Sequence, residues 1–425
     1  MNIRVPKFKI ASFLYWFIGL NTAFHLFRNQ YKIFMFLYIG AILCLLIRNT
    51  YLMILTRKYA FGPVWIKLVA YLLSSMCAVF YGMDFFRNNL RSSMQVLLIL
   101  ICLLKRPTKE EFDSFMNGFK ISVSVDIAFG VVEFLIYLIR RVNINAYLFA
   151  ITGYTDGVRP DYLHLWRISG FDWDPFIMGM FCLIMFFISE KGWKKFICLV
   201  ILIASGSRAA IVGFAGAIFF VYRDIFKKRK YSIAIMISLV AAAIILPDIM
   251  TRGQEWNIHS SGYKRVEFIT MLPEVVSSKN IIQQMFGGTS GYSGASFYYS
   301  GINCLTNSIQ SDPLWAVEND WQGIIYGNGW FGLFAYLYFV YRYIKKQKNK
   351  NMKAIMIGVF FAGVGYFYDR AIYVNMILIL STYSFTSPPD LVSRWDAISN
   401  TKAGNNDEDN GCGFNLSNRK GRMRN

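Results

Sequence analysis

Long apolar runs follow one another along almost the whole of this chain, and the gaps between them are alternately basic and poor in charge. A helix needs about 20 mostly apolar residues to cross a bilayer, fewer where its ends are buried in protein. By that measure the runs at 9–27, 32–51, 62–83, 90–104, 119–138, 175–190, 195–206, 208–222, 231–247, 324–343, 353–369 and 371–387 read as membrane-spanning helices, about twelve in all. The fourth, sixth, seventh and eighth are short. A soluble chain of 425 residues has no use for apolar runs this frequent, and only 16% of these residues are charged against 55% that are apolar. Aromatic residues reach 17%, as expected where rings sit at the membrane–water boundary.

A net charge of +20 would suit a nucleic-acid partner, but the placement of the charges excludes one. "TRKY" (56–59), "LKRPTK" (104–109), "EKGWKK" (190–195), "KKRK" (227–230) and "IKKQKNKNMK" (344–353) all fall in alternate loops. Under the positive-inside rule those loops are cytoplasmic, and so are both termini. The start "MNIRVPKFKIASFLYWFIGL" is basic but has no small-residue cleavage site, so it reads as an anchor that is kept. The other loops are then external, and two of them are long, about 139–174 and about 248–323. The second is rich in Gly, Ser, Asn and Gln and is expected to fold as a lid, with "YKRVEFITMLPEVV" as an amphipathic piece. The expected architecture is an all-α polytopic membrane protein, with a transmembrane domain over 1–387 and a polar, disordered cytoplasmic tail over 388–425. The seven Cys and three His show no paired or ligand-like spacing, so neither a disulfide framework nor a structural metal is indicated.

Four polar signals fall on the external side. They are "RPDYLHLWRISGFDWDPF" (159–176), "SGSRAA" (205–210), "SSGYKRVEF" (260–268) and "VENDWQGIIYGNGWFGLF" (317–334). Arg208 is the most conspicuous, a charge between two apolar runs with only small residues around it. A single interfacial Arg often only snorkels to headgroups. Several on one face instead suit a polyanionic group such as a phosphate or pyrophosphate, which the guanidinium fork matches. Asp172 and Asp174 form an Asp-x-Asp pair of the kind that can hold a divalent metal, but no other carboxylate cluster accompanies it and the metal-free reading is preferred.

In order and spacing these signals resemble the O-antigen polymerase and O-antigen ligase superfamily, the Wzy/WaaL family, over about 159–345. Arg167, Ser169, Gly170, Asp174 and Pro175 match an Arg, S-G, acid-Pro pattern just before a span. Ser205 to Ala210 match a small-residue turn joining two helices. Gly262, Arg265, Gly287 and Gly288 match the opening of the large loop, and Glu318, Asn319, Gly329 and Gly332 match its close. Ligases of the family carry His where this chain has Glu318, which tilts the resemblance toward a polymerase.

The resemblance implies a GT-C-like glycosyltransferase of O-antigen or capsule synthesis in the bacterial inner membrane, using no cofactor. Donor and acceptor are glycans on undecaprenyl pyrophosphate, with a chain-length regulator as a further partner. It implies Arg167, Arg208 and Arg265 at the leaving pyrophosphate and Glu318 as general base. Asn319, Arg159, Asp174 and Gly262 then line the substrate site. Glu318 and Asn319 also suit a plain helix N-cap. The alternatives are a ligase that moves finished glycan to lipid A core or protein, and a flippase for the lipid-linked unit. A flippase would show inverted repeats and interrupted helices near the midplane; no repeat is visible and the polar signals gather at one face.

Overall fold

The computed structural model describes residues 10–21, 32–56, 64–90, 105–140, 144, 168–172, 174–221, 268–302, 317, 319–363, 365 and 371–385. The chain divides into a unit of Met1–Ser384 and a unit of Phe385–Asn425, and of the second only Phe385 is described. Among the described residues every regular element is helical: α1 (Ile10–Leu20), α2 (Lys32–Thr56), α3 (Val64–Cys77), α4 (Lys109–Arg140), α5 (Pro175–Ile188), α6 (Gly192–Ala204), α7 (Arg208–Val221), α8 (Leu272–Ser277), α9 (Ile281–Phe286), α10 (Ala295–Ser300), α11 (Asp320–Lys346), α12 (Lys350–Ala362) and α13 (Ile372–Leu380). Phe36–Leu55, Val64–Tyr81 and Lys109–Arg140 are long and apolar enough to cross a membrane. The runs expected at 90–104 and 231–247, and the tail over 388–425, lie outside the described residues.

Helix α4 begins ten residues before the apolar run that announced it. Thr108 and Glu111 form a reciprocal cap: Glu111 N–H donates to Thr108 Oγ1 at 3.2 Å and Thr108 N–H to Glu111 Oε2 at 3.0 Å. Such a cap satisfies backbone donors that the first turn leaves orphaned and lets polar residues join the helix. Glu111 also takes Arg48 of α2 and Lys105, each at 2.9 Å. Helix α1 lies along α4 at Gly19 and Gly118. A Cβ at Gly19 would come within 2.9 Å of Phe119 N, so the two backbones touch where both helices are small. Helices α7 and α12 meet in the same way, where a Cβ on Gly213 would fall 2.9 Å from the Ala362 methyl.

Helix α11 is broken. Gly329 sits at φ 67° and ψ −170°, so the amides after it cannot reach back to the carbonyls one turn earlier. The freed carbonyls are filled from elsewhere. Tyr326 O accepts Lys279 Nζ (2.9 Å), Thr289 Oγ1 (3.1 Å) and Ser296 Oγ (2.7 Å). Gly327 O accepts Ser74 Oγ of α3 (2.7 Å) and the Gly288 and Thr289 amides (each 3.0 Å). Irregular backbone inside a helical bundle persists only where protein satisfies it in this way. The segment 279–296 is therefore docked into the break, with Ser290, Ser293 and Thr289 all buried.

Gly329→Ala is expected to undock that segment. At φ 67° and ψ −170° the backbone is in a region essentially reserved for glycine, which costs an Ala about 1–3 kcal/mol, and its methyl would lie 2.5 Å from the Gln284 and Met285 carbonyl oxygens, which are backbone and cannot swing aside. A large fall in thermal midpoint with faster proteolysis within 268–302 is the expected readout; a parent-like midpoint would contradict the break as a structural requirement.

Candidate functional site

All four polar signals have described residues, the 260–268 signal only its last, and hydrogen bonds and close packing link them at one end of the bundle. Ile168 N–H donates to Ala204 O at 3.2 Å, which fastens the 168–171 turn to the C-terminus of α6. There the chain reverses through Ser205, Gly206 and Ser207. Gly206 takes φ 59°, which a side chain would oppose. Ser205 Oγ donates back to Leu202 O (2.7 Å) and accepts from Ser207 N (3.3 Å). Ser207 Oγ then accepts from Ala210 N at 3.3 Å and starts α7. A Cβ on Gly179 of α5 would sit 2.7 Å from Ser207 Cβ, so this turn rests directly on α5.

The same end receives α11. A Cβ on Gly365 would lie 2.9 Å from the Ala209 methyl, and one on Gly363 would lie 2.8 Å from Asp320 Oδ2. Asp320 N–H donates to Gly363 O at 2.8 Å. Gly363 and Gly365 thus lie against the starts of α11 and α7 respectively. The 260–268 signal reaches this place through its last residue. Phe268 packs with Val317, Phe297 and Tyr326, and its carbonyl accepts from Tyr326 Oη. Val317 stands two residues before Asn319, and both are buried.

The sequence-predicted residues fall as follows. Arg208 is the first residue of α7 and is exposed, while its chain neighbours Gly206, Ala209 and Ala210 are buried. Asp174 is the N-cap of α5, its Oδ1 accepting from Phe176 N at 2.7 Å with Pro175 next in the helix. Asn319 is the N-cap of α11, its Oδ1 accepting from Gln322 N at 3.1 Å. Both are capping side chains, so that oxygen of each is engaged with its own helix. Arg159, Arg167, Gly262, Arg265 and Glu318 lie outside the described residues.

This arrangement has electrostatic consequences. Helices α5, α7 and α11 all begin at this end and turn the positive ends of their dipoles toward it, with first-turn amides held by Asp174, Ser207, Asn319 and Gly363. Helix N-termini with an Arg on the first turn favour a phosphate-type anion.

Sequence reasoning missed three groups here. Asp320, 2% exposed, follows Asn319 directly and faces Gly363. Asp126 and Glu133 of α4 are wholly buried and bind the 168–171 turn through its amides. Lys279 is buried in the segment docked on α11, donating to Ser296 Oγ (2.8 Å) and Tyr326 O.

Burial lowers the Lys279 ammonium from its ordinary value to about 7. In the unfolded chain it holds its proton to about pH 10.4. Between these values the unfolded state binds more protons, so Lys279 makes stability rise as pH climbs from about 7 to about 10.4, with no further change below. Thermal midpoints of parent and Lys279→Met across pH 7–10 check this: the parent is expected to gain on the variant as pH rises, and parallel curves would contradict it.

No protein-family model matches this chain, and no curated protein matches it either.

Proposed function

We propose that this chain is a polysaccharide repeat-unit polymerase of the external face of the bacterial inner membrane. The reading includes about twelve spans, cytoplasmic termini and the segment 248–323 outside. The observation that carries it is the gathering of the 168–171 turn, the Arg208 turn and the Asn319–Asp320 helix start at one end of the bundle, where α5, α7 and α11 all present N-termini. That supports a site for a lipid pyrophosphate.

In the proposed reaction, the acceptor hydroxyl on one lipid-linked unit attacks the anomeric carbon of a second. The bond from that carbon to the pyrophosphate oxygen breaks, and the oxygen leaves with the electron pair. Glu318 takes the hydroxyl proton. Arg208, Arg167 and Arg265, with the helix N-termini, stabilise the charge on the leaving pyrophosphate. Asn319 and Asp174 act through their helices, holding the starts of α11 and α5 in place, while Arg159 and Gly262 line the approach. No nucleotide sugar and no metal is needed for this sequence of bonds.

The broken α11 bears on the flippase alternative. Transporters use freed carbonyls of interrupted helices to hold ions or substrate. Here Tyr326 O and Gly327 O each already accept three donors from the protein itself, which supports an enzyme over a carrier. Loss of the chain in a producing cell separates polymerase from ligase. The expected result is single repeat units capped onto the final acceptor. Long polymer accumulating on the lipid carrier would mean a ligase instead, and no unit reaching the outside would mean a flippase.

A further inference from the structure

Helix α4 carries two acids inside its apolar stretch. Asp126 and Glu133 are 0% and 1% exposed and stand seven residues apart, which is two turns, on one face of the helix. Ionisable groups at such depth are expensive and usually mark function. What they meet is backbone. Glu133 accepts from Ser169 N (3.2 Å to Oε2, 3.4 Å to Oε1) and from Gly170 N (3.1 Å). Asp126 Oδ1 accepts from Phe171 N at 2.6 Å. Three consecutive amides of one turn are therefore held by side-chain carboxyl oxygens of α4.

The rest of the contact is shaped to match. Gly170 takes φ 65°, and a Cβ there would overlap Asp126. Gly130, between the two acids, leaves room for Ile168, whose Cγ2 would lie 3.2 Å from a Cβ on it. Phe171 stacks on Phe129 of α4 with ring centroids 4.1 Å apart. Asp126 Oδ2 makes no hydrogen bond among the described residues. The turn is thus seated on α4 along its length, while Ile168 ties it to α6. Arg167 is one peptide bond before it, and Asp174 starts α5 just after it.

We propose that Asp126 and Glu133 are positioning residues: a buried clamp of two carboxyl groups that fixes the 168–171 turn, the turn that Arg167 immediately precedes in the chain. The clamp explains the S-G element by its chemistry, since Gly170 alone allows an amide to be offered this close to Asp126. The role in transfer rests on the polymerase reading; the clamp itself does not.

The test has two independent readouts on the full chain in nanodiscs. The first is a nitroxide at Arg167→Cys in a cysteine-free background. It is expected to be immobile in the parent and in Glu133→Gln, whose amide oxygen still accepts the two N–H groups, and mobile in Glu133→Ala. The second is chain extension with Arg167 intact. Glu133→Ala is expected to lose about a hundredfold in kcat, the scale of a small misplacement of a reacting group, with KM for the donor nearly unchanged. Glu133→Gln is expected to recover most of that rate. Should Glu133→Ala not fold, Asp126→Ala, which removes a single bond, carries the same two readouts. A label that stays immobile in the Ala variants overturns the clamp. A mobile label with parent-like kcat overturns its role in positioning. A parent that extends no chain, with the label behaving as expected, overturns the polymerase reading and leaves the clamp standing.

Discussion

Glu318→Gln is expected to abolish chain extension while leaving the protein inserted and folded. Gln keeps the size and part of the hydrogen bonding but cannot take the acceptor's proton. Losing a general base typically costs about a hundredfold to ten-thousandfold in rate. On a gel the long glycan should collapse to single repeat units at equal protein level. The neighbouring structure sharpens this test. Asn319, next in sequence, already caps α11 through Gln322 N, so the helix does not depend on Glu318 for a cap. A cap-sized effect, about 1 kcal/mol of stability with activity intact, would therefore leave Glu318 without a role in transfer. Wild-type-like ladders from Glu318→Gln would remove the base assignment. If Asp320→Asn then gave the loss instead, the proton would go to the buried acid two residues further on.

Arg208→Ala is expected to cost about a hundredfold to a thousandfold in rate, the range for removing one preorganised donor to developing charge. Arg208→Lys should recover only part of this, because a point charge replaces a fork that can hold two oxygens. The loss should appear without much change in fold stability. The Arg208 side chain is exposed, and Ser205 and Ser207 hydrogen-bond within the turn that precedes it. Rates from purified protein in liposomes decide it. A Lys variant with full activity would count against the fork, and an Ala variant with full activity would count against a phosphate at this helix start.

Much of the helical plan was legible because apolar runs and helix caps are local signals. Runs at 175–190, 195–206 and 208–222 became Pro175–Ile188, Gly192–Ala204 and Arg208–Val221. The Asp174-Pro175 pair is itself a helix-start signature, an N-cap followed by Pro in the first turn. Position 109 as the start of α4 was also readable, from Thr108 and Glu111 at capping-box spacing, but the polar first turns hid it behind the apolar run at 119–138. The break in α11 was not legible. Gly329 stood out only as part of a G-x-x-G, and whether a Gly bends a helix depends on what approaches it, here the backbone of Gln284 and Met285.

The candidate site shows the same division. The short polar stretches around Ser169, Arg208 and Asn319 were visible because polar residues beside apolar runs are conspicuous. The contact between the Arg208 and Asn319 stretches runs through Gly363 and Gly365, which carry no side chain to announce it. Asp126 and Glu133 did leave a signal: two acids seven apart within "KISVSVDIAFGVVEFLIYLIR". Their partners are main-chain amides, and no sequence pattern identifies which amides a buried carboxylate will meet. Lys279 was hidden for the related reason that its acceptor, Tyr326 O, becomes free only because α11 breaks.

The measurement that bears most directly on the account is chain extension by the purified protein in liposomes, supplied with undecaprenyl-pyrophosphate-linked repeat units and no nucleotide sugar. The account predicts a ladder of longer lipid-linked glycans, one undecaprenyl pyrophosphate released for each bond formed, and loss of both in Glu318→Gln and Arg208→Ala. Repeat units that stay single with the parent protein, in liposomes where its fold is intact, would contradict it.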